Sequence, residues 1–327
     1  MTETQPTHAT STPDTGTDAA SRARRRSRRE RLNDKAVRTA FIGVLATLLG
    51  GSFWGFSGTC ASFLFDNYHI DTMWLMAVRQ IGAGAIFMLV VLICDRKRLM
   101  QLLRTPRHLG VMALLAFFGV FFNQLFYLLA VRFTNAGTAT VLQCLQLVLI
   151  MGYTCLTVKR RPRAREVAGL VLAFAGTFFI ATGGDPTKLA IPPLGLAVGL
   201  LSAVGAAAMT IIPTSILPVY GSSIVTGGAM FMSGIVTCAF VRPWESVPVM
   251  DGAGWGAIAV LIVVGSCLAY ALYMQGVKDI GSVRASLLGT VEPISATITS
   301  ALLLHTVFAP TDILGFALII LMVFLTA

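Results

Sequence analysis

The chain has 327 residues, of which 55% are hydrophobic and only 12% are charged, and its formal net charge is +10. With a mean hydropathy of +0.77, it has too few polar residues to cover the surface of a water-soluble fold. This composition excludes a soluble globular protein and indicates an integral membrane protein.

The first 38 residues form a polar segment that differs from the rest of the chain. It is rich in Ser, Thr, Pro and Asp up to Asp18 and in arginine from Arg22 to Arg38. Such a segment cannot bury a core, so residues 1–38 are predicted to be a disordered cytoplasmic tail. Arginine-rich tails also bind nucleic acid, but a basic run beside an apolar span is better explained by anionic lipid. We therefore expect membrane lipids, and no nucleic acid, among its partners.

The apolar runs that follow predict about ten transmembrane helices, because a helix of about 20 residues crosses the hydrocarbon core. Period-two alternation is absent from these runs, which favours an all-α bundle over an outer-membrane barrel. The first span is interpreted as uncleaved, since its apolar run is too long for a signal peptide. The predicted spans are residues 40–64, 72–94, 109–130, 136–157, 165–183, 193–213, 222–241, 253–275, 283–304 and 308–327.

The lysines and arginines predict the orientation of this bundle. Most of the 25 lie in the tail or in the second, fourth and eighth connections, all of which fall on one side of the membrane. Because cytoplasmic loops carry an excess of positive residues, we expect both termini in the cytoplasm and a multi-pass protein of the inner, cytoplasmic membrane.

An internal repeat relates the two halves of the chain. An offset of 146 residues superposes Tyr127–Arg132 ("YLLAVR") on Tyr273–Lys278 ("YMQGVK"), and the helix and loop phases agree throughout. Each half contains five spans, an odd number, so the two halves enter the membrane from opposite sides. We predict two inverted five-helix units, residues 39–184 and 190–327, an arrangement that secondary transporters use to alternate between two open shapes.

Two charged side chains stand out because they lie well inside predicted spans, where a charge is costly and is kept for function or for a buried partner. Arg79 lies about two turns from the outer surface, where snorkelling or a structural pair is the alternative. Glu292 lies near mid-membrane, and Pro293 after it loosens the helix at the depth where transporters place binding groups.

The 146-residue offset superposes Glu292 on Gln146, so the two halves present polar groups at matching depth. These groups either line a cavity or satisfy neighbouring helices through hydrogen bonds. The candidate substrate-binding or cavity residues are Trp54, Arg79, Asn123, Gln146, Tyr270, Tyr273 and Glu292, with Gln124, Gln143 and Gln275 as weaker candidates and Phe56 and Phe122 as further aromatic lining.

The string "GFSG" around Ser57 raises the alternative of an intramembrane serine hydrolase. Such an enzyme needs a base beside its nucleophile, and none of the four histidines is predicted at mid-membrane. We interpret Gly51, Gly55 and Gly58 instead as small residues that let another helix approach closely. The six cysteines lie in or at the ends of predicted spans and form no Cys-x-x-Cys pair, so neither a metal site nor a disulfide framework is indicated, and no cofactor is predicted.

Several short motifs together resemble the drug/metabolite transporter superfamily, and in particular its EamA-type family. They are "FWGFSG" in span one, "VRQIGAG" in span two, "NAGTATVL" before span four and "RASLLGTVEPISATI" in span nine. The likeness covers residues 40–327. By this resemblance Trp54 and Gly55 match the family's first-helix element, Arg79 its second-helix arginine and Glu292 with Pro293 its ninth-helix Glu-Pro element.

The resemblance implies a ten-helix transporter that moves small metabolites, amino acids or drug-like compounds, often as an exporter. We expect helices five and ten to pack outside the cavity and the other eight to line it. No Walker A pattern occurs, which disfavours ATP use, and Glu292 is a candidate carrier of a coupling proton. A channel or a non-transporting sensor is the alternative, and an intramembrane enzyme is a further one.

Overall fold

The computed structural model describes residues 16–159, 161–185, 187–281, 285 and 288–326. Within these ranges the elements are helical, and eight helices are long and apolar enough to cross a membrane. They are α1 (Gly16–Tyr68, with Val37–Tyr68 as its apolar part), α2 (Thr72–Cys94), α3 (Pro106–Phe133), α4 (Ala136–Val158), α5 (Ala164–Thr182), α6 (Pro193–Ser215), α7 (Ser222–Val241) and α8 (Gly252–Ile280). Two shorter apolar helices follow, α9 (Val291–Leu303) and α10 (Pro310–Thr326).

Each of the ten predicted spans overlaps one of these helices; residues 283, 284, 286 and 287 of the ninth span and residue 327 of the tenth lie outside the described residues. The ends follow ordinary capping chemistry: the Asp71 side chain accepts a hydrogen bond from the Trp74 amide at the start of α2, and Asn135 does the same for Thr138 in α4. Apolar runs of membrane length, bounded by capping residues, are thus sufficient to place the helices.

The polar N-terminal segment differs from its prediction. Residues 1–15 lie outside the described residues, but α1 extends back to Gly16, so residues 16–38 are helical where a disordered tail is expected. Arginine and alanine, which make up 12 of these 23 residues, are among the best helix formers, and an existing helix is extended without a new nucleation step.

The helices pack as two inverted five-helix repeats. The pairs α2–α7 and α5–α10 each join equivalent helices of the two halves. The remaining contacts come in matched sets: α1 packs on α8 and α9, and α6 packs on α3 and α4. The closest of these pairings therefore occur in both halves, as a pseudo-two-fold axis requires, whereas the packing of α1 on α3 and α4 has no equally extensive counterpart of α6 on α8 and α9.

Irregular helix segments also recur at equivalent positions. A π-helical stretch interrupts α3 at Leu115–Phe121 and another interrupts α8 at Val263–Leu268. The α4 helix breaks at Cys144 and Leu145, and a turn at Thr290 precedes α9. Gln146 and Glu292, the polar pair that the sequence offset superposes, each follow one of these breaks.

Glycines set the closest helix crossings. A Cβ on Gly51 would lie 2.7 Å from Val291 Cγ1, and one on Gly55 would lie 2.7 Å from the Ala296 amide nitrogen, so these glycines of α1 allow α9 to approach. At the α5–α10 crossing the contact is reciprocal: a Cβ on Gly176 would lie 2.8 Å from the Gly315 carbonyl oxygen, and one on Gly315 equally far from the Gly176 oxygen.

The two membrane faces differ in charge and packing. We call the surface carrying the connection Arg96–Arg107 and the α6–α7 connection the basic face, and the surface carrying Tyr68 and Asp251 the opposite face. In the half nearer the opposite face, α1, α2, α3, α4, α8 and α9 share a closely packed core that includes Leu64, Leu75 and Leu128. That core closes the bundle at one end.

Candidate functional site

A cavity of about 830 Å³ occupies the middle of the bundle. Its walls come from α1, α2, α3, α4, α6, α7, α8 and α9, while α5 and α10 contribute none of the lining residues. This is the set of helices expected from the sequence. All seven candidate residues lie on this cavity: Trp54, Arg79, Asn123, Gln146, Tyr270, Tyr273 and Glu292.

The cavity extends from mid-membrane to the basic face. Pro213, Leu217, Ser222 and Val277 line its outer part, and all four lie near the helix ends at that face. Toward the opposite face the cavity ends at Arg79 and at the core behind it. It is therefore accessible from one side of the membrane and sealed from the other.

Arg79 lies at the inner end of the cavity and is only 6% exposed. Its Nε donates a hydrogen bond to Ser266 Oγ at 3.2 Å, but Nη1 has no hydrogen-bond partner. Ser266 belongs to the π-helical stretch of α8 and itself donates to the Leu261 carbonyl at 3.1 Å. A cationic donor thus faces the cavity with part of its hydrogen-bonding capacity unused.

Glu292 lies in the first turn of α9, after the break at Thr290. It and Arg79 are the two charged side chains among the described lining residues, and they interact electrostatically without forming an ion pair. Gln146, at the equivalent position after the break in α4, lines the same cavity. The two breaks thus place a carboxyl group and an amide at related positions on the wall.

Side-chain amides of α3 and α4 form a polar patch beside these charges. Gln143 Nε2 donates to Asn123 Oδ1 at 2.7 Å, which fixes both groups. Gln124 also lines the cavity, and its Oε1 has no hydrogen-bond partner. An unsatisfied acceptor and the unsatisfied donor of Arg79 are therefore present in one cavity.

Aromatic rings form the apolar wall. Trp54 of α1 and Tyr273 of α8 have ring centroids 5.0 Å apart. Tyr270 packs edge-on against Phe87, with centroids 5.3 Å apart, and its hydroxyl lies 2.9 Å from Thr226 Oγ1. Such surfaces suit the apolar body of a ligand.

Three weaker candidates lie elsewhere, which corrects the prediction for them. Phe56 packs against the core near the opposite face, and Phe122 packs on Phe126 with centroids 4.4 Å apart. Gln275 is exposed and donates to Asp279 at 2.8 Å. All three lie on helices that line the cavity, but their side chains project from other sides of those helices. Lining residues that were not predicted include Phe87, Met209, Thr226, Met230 and Ser266.

Ser57 lines the cavity, but its Oγ donates to the Trp54 carbonyl of its own helix at 2.8 Å. No histidine is among the described residues that line the cavity, and His108 pairs instead with the Tyr220 hydroxyl near the basic face, at 2.8 Å. The surroundings of Ser57 therefore lack the base that a serine nucleophile requires.

Polar contacts join the helices at the opposite face. The Tyr68 hydroxyl donates to Asp251, which also caps α8 by accepting from the Ala253 and Gly254 amides at 3.1 Å. Trp74 Nε1 donates to the Pro243 carbonyl at 2.9 Å. These contacts tie α1 to α8, and α2 to the end of α7, above the closed core.

Similar proteins are membrane transporters. An uncharacterized inner membrane transporter of Salmonella typhimurium, YicL, is 31% identical over 278 residues, covering 85% of this chain and 92% of that protein. An uncharacterized transporter of Clostridium kluyveri is 24% identical, covering 73% of this chain and 78% of its own length. A solved structure described as "Crystal structure of protein" shares the fold, with a TM-score of 0.58 and 19% identity over 88% of this chain and 96% of that one. The model of the EamA-like transporter family matches residues 41–182 and 193–327, one match in each repeat, and the chain therefore belongs to this family of membrane transporters.

Proposed function

We propose that this membrane transporter is a secondary-active carrier that works by alternating access, exporting small metabolites, amino acids or drug-like compounds. The cavity, open at one end and packed at the other, is the expected form of one conformation in such a cycle. By the distribution of lysine and arginine, the basic face is cytoplasmic, so this conformation faces inward.

A difference between equivalent residues carries the proposal. Leu128 and Val131 of α3 are 0% and 2% exposed, within the core near the opposite face. Met274 and Val277 of α8, which the 146-residue offset superposes on them, line the open cavity. Equivalent segments of the two repeats thus differ: the one in α3 is packed in the core, and the one in α8 lines the cavity.

Exchanging these two environments would produce the second conformation. If α8 packed as α3 does now, the basic face would close, and release of α3 would open the opposite face. Because the two repeats make equivalent contacts, the two conformations are built from similar interactions and can lie close in free energy. A channel would need both ends open at once, which disfavours that alternative.

Glu292 is the proposed site of a coupling proton. It is the acidic residue among the described lining residues, and the carboxyl group faces a cavity with an apolar wall. Burial in a medium of low dielectric favours the neutral form of a carboxyl group, so binding and release of a proton can accompany the conformational change.

The test is flux in proteoliposomes, with labelled phenylacetate, phenylalanine and 2-phenylethylamine as probes. We expect wild-type protein to accumulate at least one probe under a pH gradient and to saturate. Glu292→Gln should abolish accumulation driven by the gradient but retain exchange of label. Glu245→Gln, which removes an exposed acid outside the cavity, is the control. Unsaturable currents would instead indicate a channel, and full proton dependence in Glu292→Gln would refute the coupling role.

A further inference from the structure

Arg79 is a buried cation whose hydrogen-bonding capacity is only partly used within the protein. The side chain is 6% exposed and Ser266 accepts one hydrogen bond from Nε, but Nη1 has no partner. Arginine stays protonated in proteins, so this group cannot escape its burial by becoming neutral.

No acidic group compensates the charge directly. Among the described residues no carboxylate forms an ion pair with Arg79, and Glu292, which lines the same cavity, interacts with it electrostatically beyond ion-pair distance. A buried charge without a close partner is destabilising, and such groups in membrane proteins mark binding sites. Arg79 is therefore a candidate anion-binding group on the wall of the cavity.

We infer that Arg79 binds the carboxylate of the transported substrate, an inference that rests on the proposed carrier function. The Arg79 guanidinium lines the cavity, so a carboxylate oxygen can accept a hydrogen bond from it, and this planar group suits a carboxylate better than an ammonium would. A single cation matches a monoanion, whereas a phosphate dianion would meet no second positive side chain among the described lining residues.

The rest of the cavity defines the body of this substrate. Trp54 with Tyr273 and Tyr270 with Phe87 offer two aromatic surfaces. Gln124 lines the same cavity and adds a side-chain amide to its polar wall. The substrate class is thus a small monocarboxylate with an apolar or aromatic body.

Charge balance divides this class into two. Once Arg79 and a carboxylate form a neutral pair, Glu292 must either hold a proton or face a positive group on the substrate, because a net charge in this cavity is costly. An organic acid satisfies the first condition and an amino acid the second. Both share the carboxylate on Arg79, and the test separates them.

The experiment measures ligand binding to the purified full chain in detergent, by calorimetry and by thermal shift. The probes are phenylacetate, its neutral isostere phenylacetamide, phenylalanine and 2-phenylethylamine, each at up to millimolar concentration. We expect phenylacetate or phenylalanine, or both, to bind at least about tenfold more tightly than the amide and the amine, which lack the carboxylate. Proton uptake on binding of phenylacetate, but not of phenylalanine, would show that Glu292 is protonated beside an organic acid and faces the ammonium group of an amino acid.

Arg79→Met and Arg79→Lys test the assignment, with Arg132→Gln as the matched control, since Arg132 is exposed near the opposite face and is bonded to Thr72. We expect Arg79→Met to lose at least about tenfold in carboxylate affinity, Arg79→Lys to lose less, and Arg132→Gln to lose none. The empty Arg79→Met protein should melt no lower than wild type, since it no longer buries an unpaired charge. If Arg79 had only a structural role, Arg79→Met would melt below wild type and would keep the wild-type carboxylate affinity.

Three results overturn the inference. They are equal binding of phenylacetate and phenylacetamide, wild-type carboxylate affinity in Arg79→Met, and no binding of either carboxylate to wild type. Failure of the carrier function is distinguishable, because it would appear as carboxylate binding that depends on Arg79 without any flux of the label in proteoliposomes.

Discussion

The reciprocal glycine contact between α5 and α10 provides a stringent test of the packing. In Gly176→Ala the new methyl group would lie 2.8 Å from the Gly315 carbonyl oxygen and 2.6 Å from Ile319 Cγ1. Ordinary van der Waals contact begins near 3.4 Å, and the oxygen belongs to the backbone, which cannot rotate away. The two helices must therefore separate.

The required separation sets the magnitude. Moving the backbones apart by roughly 0.6 Å weakens the dispersion contacts along the crossing by about a quarter. Overpacking of this kind costs about 1–3 kcal/mol, which corresponds to an apparent melting temperature lower by roughly 2–10 °C. Gly315→Ala should cost as much, because its methyl group meets the Gly176 oxygen at the same distance.

The assay is thermal unfolding in detergent, with Gly152→Ala and Gly256→Ala as controls. A Cβ at either control position meets nothing within 4 Å, so these variants should gain about 0.5–1 kcal/mol from helix propensity. The double variant Gly176→Ala/Gly315→Ala should cost less than the two single costs together, because one separation relieves both clashes. Ligand affinity should be unchanged, as neither helix lines the cavity. A melting temperature of Gly176→Ala equal to or higher than that of the controls would refute the close crossing of α5 and α10.

Two further predictions concern polar contacts. Hydrogen bonds from Tyr68 and from the Gly254 amide lower the pKa of Asp251 below its ordinary value of about 3.9. The ionised Asp251 carboxylate therefore contributes fully to stability above about pH 3.9, and this contribution disappears as the pH falls through the lowered pKa. The melting temperatures of wild type and Asp251→Asn should differ at pH 7 and converge only in strong acid, and convergence near neutral pH would contradict this. Tyr270→Phe keeps the ring on Phe87 but loses the hydrogen bond to Thr226, so unfolding in mixed micelles should show a loss of about 0.6 kcal/mol; an unchanged free energy of unfolding would mean that the hydroxyl finds another partner.

Much of the fold follows from simple features of the sequence. Apolar runs of membrane length locate the ten helices, and the odd number of spans in each half requires the inversion. The helix over residues 16–38 is not expected from the sequence, because a polar segment that cannot bury a core predicts disorder, whereas Ala and Arg favour a helix that continues from the first span. The π-helical stretches at Leu115–Phe121 and Val263–Leu268 carry no sequence signal of their own, since their apolar composition is that of any buried helix.

The sequence predicts part of the site. A polar or charged residue inside an apolar span stands out, and the 146-residue offset shows which of these residues are equivalent in the two repeats. Arg79, Glu292 and Gln146 stand out as polar groups within apolar spans, and the repeat relates the latter two. Phe87 and Met230 do not stand out, because an apolar side chain facing a cavity resembles one facing lipid or another helix. Which end of the cavity is open could not be predicted either, since both conformations of an inverted repeat satisfy the same sequence pattern.

The crossing of α5 and α10 has a consequence for the ancestry of the chain. Gly176 meets Gly315 as Gly315 meets Gly176, which is the geometry of an isologous interface between two copies of one subunit. A five-helix protein that inserted in both orientations would already present this self-complementary surface to its oppositely oriented copy. Gene fusion would then need only to join the two subunits, each held in its own orientation. In the present chain the same kind of self-complementary contact lies within one polypeptide, between its two repeats.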